Sequence, residues 1–431
     1  MPLVSVIIPT FNRSSILRRT LDALTTQTYP LQQVEVLVIA DGCTDNTIKM
    51  LCRYGGPFAL HMLEQSSKGP AKARNQGAAC ATGQLLIFLD DDIEAASGFI
   101  EAHVRAHERW PGHVIIGYLP VDLPGRTDFF SVELKTWWES MFHAMRQPGH
   151  RYTYRDLLTG NFSIETELFK KTGGFDPAFW CHEDYEFGMR LIKAGIPLMF
   201  AADALGYHHE MTDLDRSLQR KYQEGETDVM LGFRHPELRS VLPLAQFRNS
   251  FSTLSHLLFT LAFKWPEGDN ALIACLRLIL GPLEKVKARR HWRLILNYLL
   301  VYSYWLGVAK ELGSIQALEN FLKDSLSNIN TDSEGIEIDL RDGLKVAEEK
   351  LDQERPGSAQ IRYGRYSIGQ ILLQPGAERL RGTHLRPILA NKLAKPLFKA
   401  LALEGAIGLD IDPEQVLAAC SLKSLEPIPE C

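Results

Sequence analysis

The sequence predicts an α/β protein: a mainly parallel sheet with flanking helices, then a helical region, then a small mixed tail. Three observations lead there. Over roughly the first 210 residues, short β-branched or aliphatic runs alternate with helical patterns, as strands joined by crossover helices do. From 240 to 325 the pattern is helical throughout, and past the polar stretch at 328–335 short strand-like and helical pieces mix with Pro and Gly. The expected domains are 1–235, 240–325 and 335–431, the last of unknown role.

In chain order, "VSVIIP" (4–9) reads as the first strand. "SSILRRTLDALTTQT" then sets Leu17, Leu21 and Leu24 on one helix face, with Ser14 or Ser15 as N-cap. "VEVLVIAD" (34–41) and "FALHMLEQ" (58–65) are the next strands. "GPAKARNQGAACATG" is a second crossover helix, with Pro70 in its first turn and Gly83 at its C-cap. "LLIFLD" (85–90), "GNFSIE" (160–165) and "GIPLMFAADA" (195–204) are further strands, the last two flanking a helix around "HEDYEFGMRLIKAG". None of the later helices is an uninterrupted apolar run of eighteen residues, so no membrane span is expected. Lys285, Lys287, Arg289, Arg290 and Arg293 adjoin the aromatic-rich "WRLILNYLLVYSYWLGVAK". That composition suits peripheral contact with an anionic membrane, and equally suits buried helices joined by a solvated basic link.

Composition narrows the function. The chain has 431 residues, 45% hydrophobic and 23% charged, with a formal net charge of -5, which gives no general attraction to nucleic acid. Seven cysteines without a CxxC pair argue against a disulfide framework or structural zinc and favour a reducing compartment. The first residues lack the basic region and cleavage site of a signal peptide, so a cytoplasmic location is expected, peripheral at the inner face of the cell membrane if the basic cluster binds there.

Chemistry concentrates at strand ends, where open parallel sheets bind ligands. "LLIFLDDDIE" ends in Asp90, Asp91 and Asp92; if the extended form persists, Asp90 and Asp92 share one side and Asp91 takes the other. Such a DxD pair is a hard oxygen site for Mg²⁺ or Mn²⁺ completed by substrate phosphates, although aspartates also end strands and solvate loops. Asp41 closes the second strand beside the turn former Gly42, and "PTFNR" brings Thr10, Asn12 and Arg13 to the same edge. Lys68, Lys72 and Arg74 lie near a helix N-terminus, where phosphate is favoured. Glu183 and Asp184 start a helix, suiting either the helix dipole or a general base.

Together "VSVIIPTFNR", "ADGCTDNT", "GPAKARNQGAACATGQLLIFLDDD", "LLTGNFSIETELFKKTGGFD" and "HEDYEFGMRL" resemble an inverting family 2 glycosyltransferase of the GT-A fold, over most of the first ~210 residues. The resemblance implies a Rossmann-like GT-A sheet and a hexosyltransferase of the kind that builds polysaccharides. It implies that Pro9, Thr10, Asn12, Arg13, Asp41, Lys68, Arg74, Asp90 and Asp91 bind a nucleoside-diphosphate-sugar. Asp90, Asp92 and His208 would hold Mn²⁺ or Mg²⁺, with His209 the alternative within "GYHHE". Asp184 would be the base with Glu183 beside it, and Gly160, Asn161 and Trp180 would meet a glycan or lipid-linked acceptor. Two rivals remain. A sugar-phosphate nucleotidyltransferase needs a glycine-rich basic signature after strand one, which "PTFNRSS" lacks; a non-catalytic nucleotide-sugar-binding scaffold is expected to have lost the carboxylates present here.

Overall fold

A computed structural model describes residues 3–123, 125–247, 253–265, 269–323 and 335–407. Residues 328–334 of the expected linker, and the tail from 408 with Cys420 and Cys431, lie outside the described residues. Contacts divide the chain into two compact units, one made of Met1–Arg146, Tyr152–Asn330 and Pro375–Glu378, the other of Gln147–Arg151, Thr331–Gln374 and Arg379–Cys431.

The first unit opens with β1 (Val4–Thr10), α1 (Ser14–Leu24), β2 (Val34–Asp41), α2 (Thr47–Arg53), β3 (Ala59–Gln65), α3 (Pro70–Cys80) and β4 (Leu85–Leu89). There follow β5 (Ile93–Ala95), α4 (Phe99–Arg109), β6 (Val114–Tyr118), β7 (Val121–Asp122), α5 (Phe129–Met145), β8 (Asn161–Glu165) and α6 (Thr166–Lys171). Then come α7 (Glu183–Lys193), β9 (Leu198–His209) and α8 (Leu214–Arg234). The sheet runs β3-β2-β1-β4-β8-β6-β9-β5, with β7 also paired to β9. It is the expected α/β sheet with flanking helices, but mixed. β3, β2, β1 and β4 are parallel, whereas β8 is antiparallel to both β4 and β6. The α1, α2 and α3 crossovers return the chain to the same edge; the stretch between α5 and β8 enters from the other end. β1, β2 and β4 are buried on both faces, which is why they read as continuous apolar runs. Leu17, Leu21 and Leu24 of α1 are fully buried as their spacing requires.

Three local expectations change. Neither Ser14 nor Ser15 caps α1: Ser14 is its first residue, and its N–H donates to Asp45 at 3.2 Å, so a neighbouring loop does the capping. Gly83 is not the C-cap of α3, which is Ala81; Gly83 packs where an added Cβ would stand 2.4 Å from the Ser5 hydroxyl. The extended backbone of β4 stops at Leu89, and Asp90–Ile93 forms a turn closed by the Ile93 N–H on the Asp90 carbonyl at 3.3 Å.

Helices complete this unit: α9 (Pro243–Phe247), α10 (Thr253–Lys264), α11 (Asp269–Lys285), α12 (Arg289–Leu312) and α13 (Ile315–Lys323). α8 and α12 approach backbone to backbone through two glycines. A Cβ on Gly225 would fall 2.1 Å from the Tyr304 carbonyl, and one on Gly307 1.9 Å from that of Tyr222. Gly307→Ala is therefore expected to cost about 1–3 kcal/mol by overpacking, read from urea unfolding. Gly281→Ala in exposed α11, where a Cβ meets nothing, should cost nothing. Equal stabilities would show that the two helices separate freely. Among the described residues no helix is long and apolar enough to cross a membrane.

Among the described residues the second unit has three strands, β10 (Gly335–Asp339), β11 (Ser358–Tyr363) and β12 (Tyr366–Ile371), with β10 parallel and β12 antiparallel to β11. Three helices, α14 (Leu344–Glu354), α15 (Gly382–Asn391) and α16 (Ala394–Ile407), share its core of Ile338, Leu351, Ile361, Leu380 and Leu385.

Candidate active site

The ends of β1, β2 and β4, the start of α7 and one face of α8 surround a cavity of about 530 Å³. Its lining gathers Pro9, Thr10, Arg13, Asp41, Arg74, Asp90, Asp91, Asp92, Gly160, Trp180, Glu183, Asp184 and His208, all singled out in the sequence.

On the β1 side, the Thr10 hydroxyl donates to Asp91 at 2.6 Å, and Arg13 Nη1 donates to Asp91 at 2.9 Å and to Asp92 at 2.8 Å. All three aspartates line the cavity, because the turn after Leu89 breaks the strand alternation that would have sent Asp91 away. Burial, helped by Asp92 and opposed by Arg13, pushes Asp91 up to about 6. Burial also pushes on Asp92, but the bond and charge of His208 and those of Arg13 outweigh it and hold this carboxyl below its ordinary value. Burial works against the His208 imidazolium, yet its attraction to Asp92 and to Glu210 wins and raises it. His208 Nε2 stands 3.6 Å from Asp92, while its buried Nδ1 has no hydrogen-bond partner among the described residues. His209, on the opposite face of β9, pairs with Glu94 at 2.8 Å instead.

Arg74 joins the two ends of the site. Its side chain is 4% exposed, with Nη2 donating to Asp90 and Nη1 to Glu183, each at 2.7 Å. Its charge is thus committed to two carboxylates. Glu183 is raised by burial and by Asp184; Asp184 is raised by burial against the pull of His182, Arg220 and Arg74. The Asp184 carboxylate accepts the Tyr185 N–H at 2.9 Å. His182, just before α7 and with φ +58°, stacks on Tyr185 and reaches Asp228 at 3.2 Å; Asp228 in turn accepts the Tyr304 hydroxyl at 2.7 Å.

Three expected site residues are not brought in. Asn161 is fully buried behind the wall, bonded to His103 at 2.8 Å and to the Ala204 carbonyl at 2.9 Å, because alternation along β8 turns it into the sheet. Asn12 accepts the N–H groups of Thr44 and Asp45 and so holds that loop. Lys68 offers Asp41 its backbone N–H at 2.7 Å; Asp41 also accepts from Gly69 and Gln65, so it orders the loop before α3.

Sequence reading missed the α8 wall of Arg216, Gln219, Arg220 and Gln223, and also Phe11, Trp138 and His182. The spacing of the four α8 polar residues, one face of a helix, is the signal that could have found them. Among the described residues no three His, Cys, Asp or Glu side chains form a metal cage. Asp90, Asp92 and His208 do not converge as a triad, since Asp90 turns to Arg74. The donors nevertheless fit a hard cation such as Mg²⁺, which commonly takes one or two carboxylates and completes its shell with phosphate oxygens.

Known proteins resemble parts of this chain. Residues 5–173 match the profile described as Glycosyl transferase family 2, and 139–212 the one described as N-terminal domain of galactosyltransferase. The chain is 33% identical over 244 residues to validoxylamine A glucosyltransferase of Streptomyces hygroscopicus subsp. jinggangensis, covering 49% of this chain and 57% of that one. It is 27% identical over 236 residues to glycosyltransferase AglE of Haloferax volcanii, covering 54% and 74%. A solved mannosyltransferase of Pyrobaculum calidifontis, in complex with GDP-Man and Mn²⁺, is similar at 19% identity and a TM-score of 0.47, covering 72% and 87%. The chain spans a little over half the length of the Streptomyces relative it matches. The carboxylates at the ends of β2 and β4 face the cavity from within residues 5–173, the region that matches glycosyl transferase family 2, and the Glu183–Asp184 pair faces it from within the 139–212 match.

Proposed function

We propose that the protein transfers a hexose from a nucleoside-diphosphate-sugar to a hydroxyl of a glycan or lipid-linked acceptor, with inversion at the anomeric carbon. One observation supports this above the rest: Arg74 ties the aspartates at the end of β4 to the Glu183–Asp184 pair across a single cavity. Residues 1–235 are the catalytic domain in this reading.

The nucleotide lies at the ends of β1 and β2, beside Thr10 and Asp41. Asp90 and Asp92, with His208 nearby, would hold Mn²⁺ or Mg²⁺, which when bound offsets charge on the departing diphosphate. Asp184 takes the proton of the acceptor hydroxyl. The acceptor oxygen then bonds to the anomeric carbon from the face opposite the nucleotide, the bond from that carbon to the phosphate oxygen breaks, and its electron pair leaves with the diphosphate. Burial, which raises Asp184, makes it a stronger base than an exposed aspartate. Trp180, 60% exposed at the cavity mouth, offers an apolar face to an acceptor sugar.

Thermal shift with UDP-, GDP- and dTDP-sugars, with and without Mn²⁺, tests the donor half. One nucleotide class should stabilise the protein, by about 2.7 kcal/mol at a hundredfold excess over Kd, only with the metal and not in Asp92→Ala. No shift with any donor would sink the reading.

A further inference from the structure

We propose that the outward face of α11 and the turn into α12 bind the surface of an anionic phospholipid bilayer. α11 is apolar on both sides. Its inner row, Ile273, Leu276, Leu280 and Leu283, joins the cluster of Leu218, Trp292, Leu296 and Leu299. A helix apolar all round belongs in a core, yet Leu278 is 76% exposed, Ile279 43% and Val286 71%. Leu278, Pro282 and Val286 follow one another at four-residue intervals, with Cys275 and Ile279 alongside, so they form a continuous outward stripe.

Charge identifies the occupant. At the end of this stripe stand Lys285, Lys287 and Arg290, exposed and without an ion-pair partner among the described residues, and Leu294, 47% exposed, lies one turn beyond Arg290. Arg289 and Arg293 are instead held by Glu133 at 2.9 and 2.7 Å. The nearest acid along α11, Glu284, is turned inward and accepts the Phe129 N–H at 2.9 Å. A second copy of the chain docking by two-fold symmetry would set this cationic turn against itself. A layer of phosphate headgroups over acyl chains takes the cations and the apolar stripe together. Because no described helix is long and apolar enough to span, the proposed contact is one of lying on the surface.

Co-sedimentation of the full chain with phosphatidylglycerol/phosphatidylcholine vesicles and with pure phosphatidylcholine vesicles tests this. Binding is expected to the anionic vesicles alone and to weaken in high salt. Lys285→Glu/Lys287→Glu/Arg290→Glu should lower it at least roughly tenfold, and Leu278→Ser/Val286→Ser should lower it independently, with Tm and donor-induced thermal shift unchanged in both. All five sites are exposed, so folding is not at stake. No binding by the parent chain, equal binding to neutral vesicles, or binding undiminished in both variants overturns the proposal. So does a dimer in sedimentation velocity that Leu278→Ser/Val286→Ser dissociates, which would assign the stripe to a second copy.

Discussion

Replacing Asp184 by asparagine is expected to lower kcat by roughly 10²–10⁴-fold, the usual worth of a positioned general base, while donor binding by thermal shift stays at the parent level. Asparagine preserves the side chain's volume and can still accept the Tyr185 N–H through its carbonyl oxygen, so the start of α7 should keep its geometry. The reaction's pH dependence gives a second check. Asp184 acts deprotonated, so activity falls as pH drops through its pKa; since burial raises that pKa above the ordinary 3.8, the acid limb of kcat should lie above the range of an exposed aspartate. A fully active Asp184→Asn enzyme would remove the base assignment and leave the match of residues 5–173 to glycosyl transferase family 2 untouched.

The second large effect concerns stability. Arg74→Met leaves Glu183 buried without its cation, and removing one partner of a buried ion pair costs about 3–5 kcal/mol. Glu183 is already raised by burial and by Asp184, so losing Arg74 should favour its neutral form further. Arg74→Met/Glu183→Gln should therefore recover part of the loss, because the double variant buries no unpaired charge there. Urea unfolding of the parent, both single variants and the double variant gives the coupling energy. Additive losses would mean that the two groups are not joined in solution. Both arginine variants should also lose transfer activity, since Asp90 is freed at the same time.

Much of the sheet was legible because its strands are buried on both faces and show as unbroken aliphatic runs. β2 was read at its observed limits, Val34–Asp41. The stretch holding α4, β6, β7 and α5 was not assigned. β6 is only five residues long, and α5 leaves much of its length partly exposed, so neither shows a decisive period. Among site residues, those at strand exits were found because a carboxylate ending an apolar run is visible locally. Asn161 misled because its neighbour Gly160 does line the cavity: one step along a strand reverses the side chain, and only the pairing of β8 with β4 and β6 sets which residue faces which way. His208 and His209 posed the same question, and the pairing of β9 resolved it.

The sequence by itself determined the resemblance to family 2 glycosyltransferases, the alternation of strands and crossover helices, and the carboxylates that follow β2 and β4, because these rest on short-range pattern and composition. Tertiary structure alone decided that Arg74 is spent between Asp90 and Glu183, 16 and 109 residues away along the chain, and that the α8 face walls the cavity. An ion pair forms where packing brings two charges together and excludes water, and no local pattern encodes a partner that distant.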